Sequence, residues 1–187
     1  MHGRRLNQLL LGSEKLSRKI AFTGIFTGIA VVLLYLSVIM PTGKLTLYFL
    51  ASLPVAIVII EFGAGAGISV YLAACILSAL IAGNIFGIVP FALFFGHYPI
   101  FKFCIEKGRK AVREVVFKLI VFNASWILWY LFFKTIFITV IPSQFTGNSL
   151  LFAAFIAVLQ VIFFAYDYVF SRLLFYYESK LSMIKKG

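Results

Sequence analysis

Apolar residues run along this chain in six long blocks, broken by short stretches that carry charge, proline or glycine. A helix needs about 20 consecutive apolar residues to cross the hydrocarbon of a bilayer. The blocks at 19–40, 45–60, 64–82, 85–103, 115–141 and 149–176 come close to that length or exceed it. Their edges are marked by Pro41, Glu61, Gly83-Asn84 and Pro142. The connections at 61–66 and 83–84 are so short that the spans they join must be antiparallel neighbours. The pattern predicts an all-α integral membrane protein of six transmembrane helices.

Composition narrows the class. The 187 residues are 63% hydrophobic, with a mean hydropathy of +1.05. A soluble domain is nearer half apolar and has no core large enough to hide the excess. The net charge of +11 would point to nucleic acid in a soluble protein. Here its distribution points to the membrane instead, and no nucleic-acid partner is expected. Of 17 Lys and Arg residues, all but Lys44 and Lys134 fall at 4–19, at 102–118 or from Arg172 onward. Basic residues flanking apolar spans are held on the cytoplasmic side. Six spans bring all three clusters to that side, with both termini cytoplasmic and 142–148 outside; five spans would strand one cluster outside. The clusters also suit contact with anionic membrane lipids. Tyr48, Trp129, Tyr130, Tyr176 and Tyr177 lie toward the expected interfaces, where amphipathic rings are favoured.

The division expected is an interfacial segment at 1–18, a membrane domain at 19–176 and a basic tail at 177–187. The apolar run Leu9-Leu10-Leu11 is too short for a cleavable signal. Leu6, Leu9, Leu10 and Leu16 would give one face of a short helix lying on the inner leaflet. Cys75 and Cys104 belong to different spans at different depths and are expected to be free thiols rather than metal ligands. No metal site and no cofactor are predicted.

Four features carry candidate chemistry. Gly24-Ile25-Phe26-Thr27-Gly28 is a G-x-x-x-G with Ala21 on the same side, so another helix can approach closely. That stripe serves either internal packing or the docking of a partner in the cytoplasmic half of the first span. In the fifth span Asn123, Trp126, Tyr130 and Lys134 share a face, a recipe for a small-molecule site. Lys134 stands about 24 Å along that helix from Lys118, near the outer surface, where the other reading is a lysine snorkelling to headgroups. In the fourth span Pro90, Gly96 and Pro99 break the helix around His97, which is either a packed histidine, a ligand contact or a pH-sensitive group. In the sixth span Gln160 is mid-membrane and costly to leave unpaired. Asp167 and Arg172, nearer the inner surface, are expected to pair locally or with the basic loop. A carboxylate-driven transporter would be expected to carry an acid at mid-membrane, and none is there. The first outer loop, from Pro41 to Tyr48, supplies Lys44 as a second outer cation without an outer acid, which points to an anionic or carboxylate-bearing ligand. No H-E-x-x-H, G-x-S-x-G or P-loop is present, so the chain is not expected to be an enzyme.

Over residues 19–176 these features together resemble the substrate-binding (S) component of energy-coupling factor vitamin transporters. The likeness lies in six short spans with both ends inside and in the small-residue motif of the first span. It extends to the F-G-x-x-x-G turn Phe62-Gly63-Ala64-Gly65-Ala66-Gly67 and to the stretch from Gly87 through Pro90 to Gly96. The resemblance implies docking on a transmembrane coupling protein that works with two cytoplasmic ATPases. The family's docking motif is A-x-x-x-A, where this chain has Gly24 and Gly28. The resemblance also implies a ligand bound in the outer half, which selects Lys44, Tyr48, Trp126, Tyr130, Lys134 and Gln160.

The expected function is therefore substrate capture in the bacterial plasma membrane, for uptake of a small vitamin-like molecule driven by a separate ATP-hydrolysing module. The alternative is a non-transport membrane scaffold that uses its small-residue faces for protein contacts. A third reading is a lipid-modifying enzyme built on His97.

Overall fold

The structure is a computed structural model that describes the backbone of residues 2–106, 111–140 and 149–184. Side chains are described for 13–106, 114–128, Leu131, Ala154 and 157–180. The described residues are helical, without a strand. The helices are α1 (His2–Ile39), α2 (Lys44–Phe62), α3 (Ala64–Ala82), α4 (Tyr98–Glu106), α5 (Ala111–Val140) and α6 (Ser149–Ile184). Short turns at Ile85–Gly87 and Phe91–Phe95 lie between α3 and α4. The chain forms two compact units, Met1–Lys110 and Ala111–Gly187.

Five helical segments are long and apolar enough to cross a membrane: Ser13–Ile39, Lys44–Phe62, Ala64–Ala82, Ile85–Glu106 and Ala157–Lys180. Their surfaces are inverted relative to a water-soluble protein. Ser37, Ser52 and Ser78 are fully buried, while Ile25 is 63% and Leu80 is 75% exposed. In water the arrangement would be unfavourable at every such position; in hydrocarbon the apolar side chains lose nothing by facing outward, and the hydroxyls gain by turning in.

In the first unit the core lies where α1, α2 and α3 meet. Ala30 and Leu34 of α1, Ala51, Val55 and Ile59 of α2, and Ala66, Val70 and Ala74 of α3 are buried together. On each helix these positions recur at three- and four-residue steps and so form one stripe. Two of the buried serines turn back onto their own helices: Ser37 Oγ donates to the Leu34 carbonyl at 2.6 Å and Ser52 Oγ to that of Phe49 at 2.6 Å, whereas Ser78 Oγ has no partner among the described residues.

The α2–α3 reversal is one residue long. Gly63 sits at φ 84°, ψ 172°, and its N–H closes the last turn of α2 on the Ile59 carbonyl at 2.8 Å. A side chain is strained at that φ, so the residue that ends one helix and starts the next is glycine. Four residues on, Gly67 lets α3 lie against α2, because a Cβ there would collide with Ile59.

Three elements differ from the sequence-based boundaries. The first helix is continuous from His2, without a separate inner-leaflet piece. Nothing between Ser13 and Lys19 breaks a helix, and Glu14 and Arg18 stand at the favourable four-residue spacing. At 38 residues α1 is about 57 Å long, nearly twice the hydrocarbon thickness. The sixth helix likewise runs past 176 to Ile184. The fourth span is broken into pieces rather than kinked. Pro90 precedes a turn of wide pitch, in which Gly96 N–H donates to the Phe91 carbonyl at 2.7 Å, and α4 then starts with Pro99 in its first turn, where a missing N–H does no harm. The expected outer loop at 142–148 lies outside the described residues.

The packing predicts that Gly67→Ala destabilises the fold by about 1–3 kcal/mol, the usual cost of overfilling a packed contact. The midpoint of detergent-to-SDS unfolding measures it, and an unchanged midpoint would contradict the described α2–α3 approach.

Candidate functional site

In the first unit, Lys44 opens α2 and is exposed, and Tyr48 follows one turn later. Tyr48 is only 4% exposed, and its O–H donates to the Gly87 carbonyl at 2.5 Å. Its ring lies 5.8 Å from that of Phe95. The donor of Tyr48 is thus committed to the chain, and its role is to hold the 85–87 turn against α2. Asn84 steadies the same turn by accepting from Gly87 N–H at 3.2 Å.

A second tyrosine, which sequence reasoning passed over, repeats the device deeper in the span. Tyr71 of α3 donates its O–H to the Ala92 carbonyl at 2.9 Å, and His97 Nδ1 stands 3.1 Å from the same oxygen. A carbonyl only accepts, so Nδ1 is the protonated nitrogen. The His97 ring also meets Phe101 edge to face at 5.4 Å. A Cβ on Gly96 would come within 2.7 Å of both the Phe91 and Tyr71 rings, so the glycine makes room for this cluster. Tyr71 could have been found from its depth alone, since a mid-span phenol needs an acceptor.

On α1 the residues Ala21, Gly24 and Gly28 are exposed, and a Cβ placed on either glycine meets nothing within 4 Å. Thr27, between them in sequence, is turned inward, its Oγ1 donating to the Thr23 carbonyl at 2.8 Å. Within the first unit the glycines therefore do not serve helix packing; their face is open.

In the second unit two polar rungs join α5 to α6. The first rung is Lys118 Nζ donating to Asp167 Oδ2 at 2.9 Å, with side chains 9% and 14% exposed. Asp167 thus pairs with the distal end of the middle basic cluster. Arg172 pairs locally, donating to Tyr168 Oη at 3.2 Å with its guanidinium 5.5 Å from that ring. The second rung joins the amides of Asn123 and Gln160: Gln160 Nε2 donates to Asn123 Oδ1 at 3.1 Å. Asn123 Nδ2 in turn donates to the Leu119 carbonyl at 2.8 Å. Aromatic rings adjoin this rung. Phe122 stacks on Phe163 at 4.3 Å and meets Trp126 edge to face at 6.4 Å.

The structure thus brings Asn123 and Gln160 together and sets the Trp126 ring against that of Phe122, its neighbour on α5. The backbone of α5 carries Tyr130 and Lys134 on the same helix, but their side chains lie outside the described residues. Lys118 was legible only as one member of a cytoplasmic charge cluster, whereas its side chain is buried. Lys102, from the same cluster, is also buried and is ion-paired with Glu106 one turn on. Among the described residues no group of three or more His, Cys, Asp or Glu side chains is placed to hold a metal ion, and Cys75 and Cys104 are free thiols.

The Lys118–Asp167 rung predicts a double-mutant result. Lys118→Met strands the Asp167 carboxylate and lowers stability by about 3 kcal/mol, as expected for a largely buried pair that loses one partner. Adding Asp167→Leu recovers most of that loss. Unfolding midpoints of the four proteins in the cycle measure the coupling, and strictly additive changes would contradict a working ion pair.

No family model matches the chain, and neither a curated protein nor a solved structure does, so the residues themselves carry the functional reading.

Proposed function

We propose that this chain is a membrane-embedded capture subunit, an S component that takes up a small vitamin-like molecule and delivers it through a separate ATP-driven module. In this reading the chain crosses the bacterial plasma membrane six times, α5 adding a crossing to the five apolar segments. Both termini are then cytoplasmic, because all three basic clusters fall on one side. The partner is a transmembrane coupling protein associated with two cytoplasmic ATPases. The captured molecule is weighted toward an anion by the outer cations Lys44 and Lys134.

The observation that carries the reading is the open glycine face of α1. Two glycines four residues apart create a groove that allows a second helix to approach at backbone distance. A groove that no residue of its own unit fills, at Gly24 and Gly28, supports a partner helix as the occupant. Such a face would also serve a scaffold. The mid-span amides Asn123 and Gln160 favour capture over scaffolding, because polar groups at that depth are costly and mark substrate paths.

Gly24→Leu tests docking. With no neighbour within 4 Å, the new side chain should leave the unfolding midpoint within about 0.5 kcal/mol of wild type, as for a surface change. In a close-packed interface it should cost about 1–3 kcal/mol, so that co-purified coupling protein and ATPases fall roughly ten-fold or more. A complex recovered intact with Gly24→Leu would sink the docking assignment. Native mass spectrometry of the wild-type protein tests capture. A retained small molecule supports it, and a complex that forms without ever holding one supports the scaffold.

A further inference from the structure

The Asn123–Gln160 rung shows which atom of Gln160 is left without a partner. The Leu119 carbonyl has only lone pairs to offer, so the Asn123 atom 2.8 Å from it must be the NH2 group. Asn123 Oδ1 is then the atom turned toward Gln160. Gln160 must answer with its own NH2, at 3.1 Å. Flipping either amide would set acceptor against acceptor or donor against donor. A main-chain carbonyl on α5 therefore dictates, through two side chains, the orientation of an amide on α6.

The remaining atom, Gln160 Oε1, is buried and accepts no hydrogen bond among the described residues. Gln160 lies about 17 Å along α6 from Ser149, near the middle of the span at 1.5 Å per residue. No bulk water reaches that depth, and an unsatisfied carbonyl there is costly. Helix-to-helix attachment does not explain it, because that is the work of Nε2. The neighbouring surface is aromatic: Phe122 and Trp126 flank Asn123 on α5, and Phe163 follows Gln160 by three residues on α6, its ring stacked on Phe122.

Resting on the capture reading above, we infer that the molecule taken up is a flat ring system bearing an N–H, which it donates to Gln160 Oε1. The inference refines the charge preference. A carboxylate set against Oε1 would oppose two acceptors, so any anionic group of the ligand must lie away from this rung. A compound identical but for methylation of that nitrogen should be rejected, because a site built around one hydrogen bond discriminates strongly against an analogue that cannot make it.

The test uses the full chain and three fragments, benzimidazole, indazole and quinazolin-4-one, each beside its N-methylated analogue. Native mass spectrometry reads the bound fraction. At least one parent fragment should bind wild type, with its N-methyl analogue bound about ten-fold less. Gln160→Met, close in shape and without the acceptor, should erase the difference. Equal binding of parent and methylated compounds to wild type overturns the inference and leaves capture standing; a buried water or a lipid then satisfies Oε1. A difference that persists in Gln160→Met overturns it too. If none of the six compounds binds and no molecule is retained from the cell, the capture reading falls with it.

Discussion

In hydrocarbon a polar group has no solvent to bond with, so each must find its partner inside the protein. That constraint explains more of this structure than any single packing contact. Ser37 and Ser52 bond back to their own helices. Tyr48 and Tyr71 reach across to main-chain carbonyls of the broken fourth span. Lys118 meets Asp167, and Gln160 meets Asn123. The breaks in the fourth span are tolerable for the same reason. Proline and a wide turn leave backbone groups without helical partners, and two phenols and an imidazole supply donors to the freed carbonyls.

Steric closeness supplies the other half of the fold. Without a hydrophobic drive to hold helices together in lipid, contact depends on backbones approaching closely enough for dispersion and hydrogen bonding to act. Gly67 permits that between α3 and α2, and Gly96 permits it between the wide turn and Tyr71. The same residue type has opposite meanings along this chain. A Cβ at Gly67 or Gly96 would strike a neighbour, whereas at Gly24 or Gly28 it would meet open space. Glycine content alone does not separate the two cases; the neighbouring helix does.

This bears on how far the chain could be read without coordinates. The α3 boundaries were legible to the residue, because Gly63 and Gly83 end the helices that precede them through positive-φ backbone conformations that favour glycine. The fall of charge between apolar blocks made the membrane class legible as well. The continuity of α1 was not, since a basic, amphipathic stretch reads equally as a separate surface helix or as an extension of the span. The wide turn at Phe91–Phe95 was legible only as a disturbance around Pro90 and Gly96, because its form depends on Tyr71, twenty residues away on another helix. Of the candidate site, Asn123 and Gln160 were visible one by one through their cost in lipid. Their pairing depends on the register of α5 against α6, which no local signal records. Tyr48 was visible as an outer aromatic, but its hydroxyl goes to a backbone carbonyl, and backbone acceptors leave no trace in side-chain patterns.

Both units hold buried polar atoms without a partner among the described residues, Thr23 Oγ1 and Ser78 Oγ in the first and Gln160 Oε1 in the second, and what sets the units apart is the feature each leaves open. In the first unit the hydroxyls of Tyr48 and Tyr71 are bound to fixed carbonyls, and its open feature is apolar, the glycine face of α1. A rigid body with a smooth, close-approach face suits an attachment that must form and release without rearranging a core. In the second unit the Asn123–Gln160 rung ends in a buried acceptor that no described residue answers. A protein that only needed to join α5 to α6 would have no use for an amide there; the Lys118–Asp167 rung already joins them. An unsatisfied acceptor oriented by two hydrogen bonds is instead preorganised toward whatever donor arrives, since its direction is set before binding and costs nothing further at that moment. On the proposed reading, attachment and recognition would be built from opposite materials, one from the absence of side chains and the other from a single carbonyl held in place.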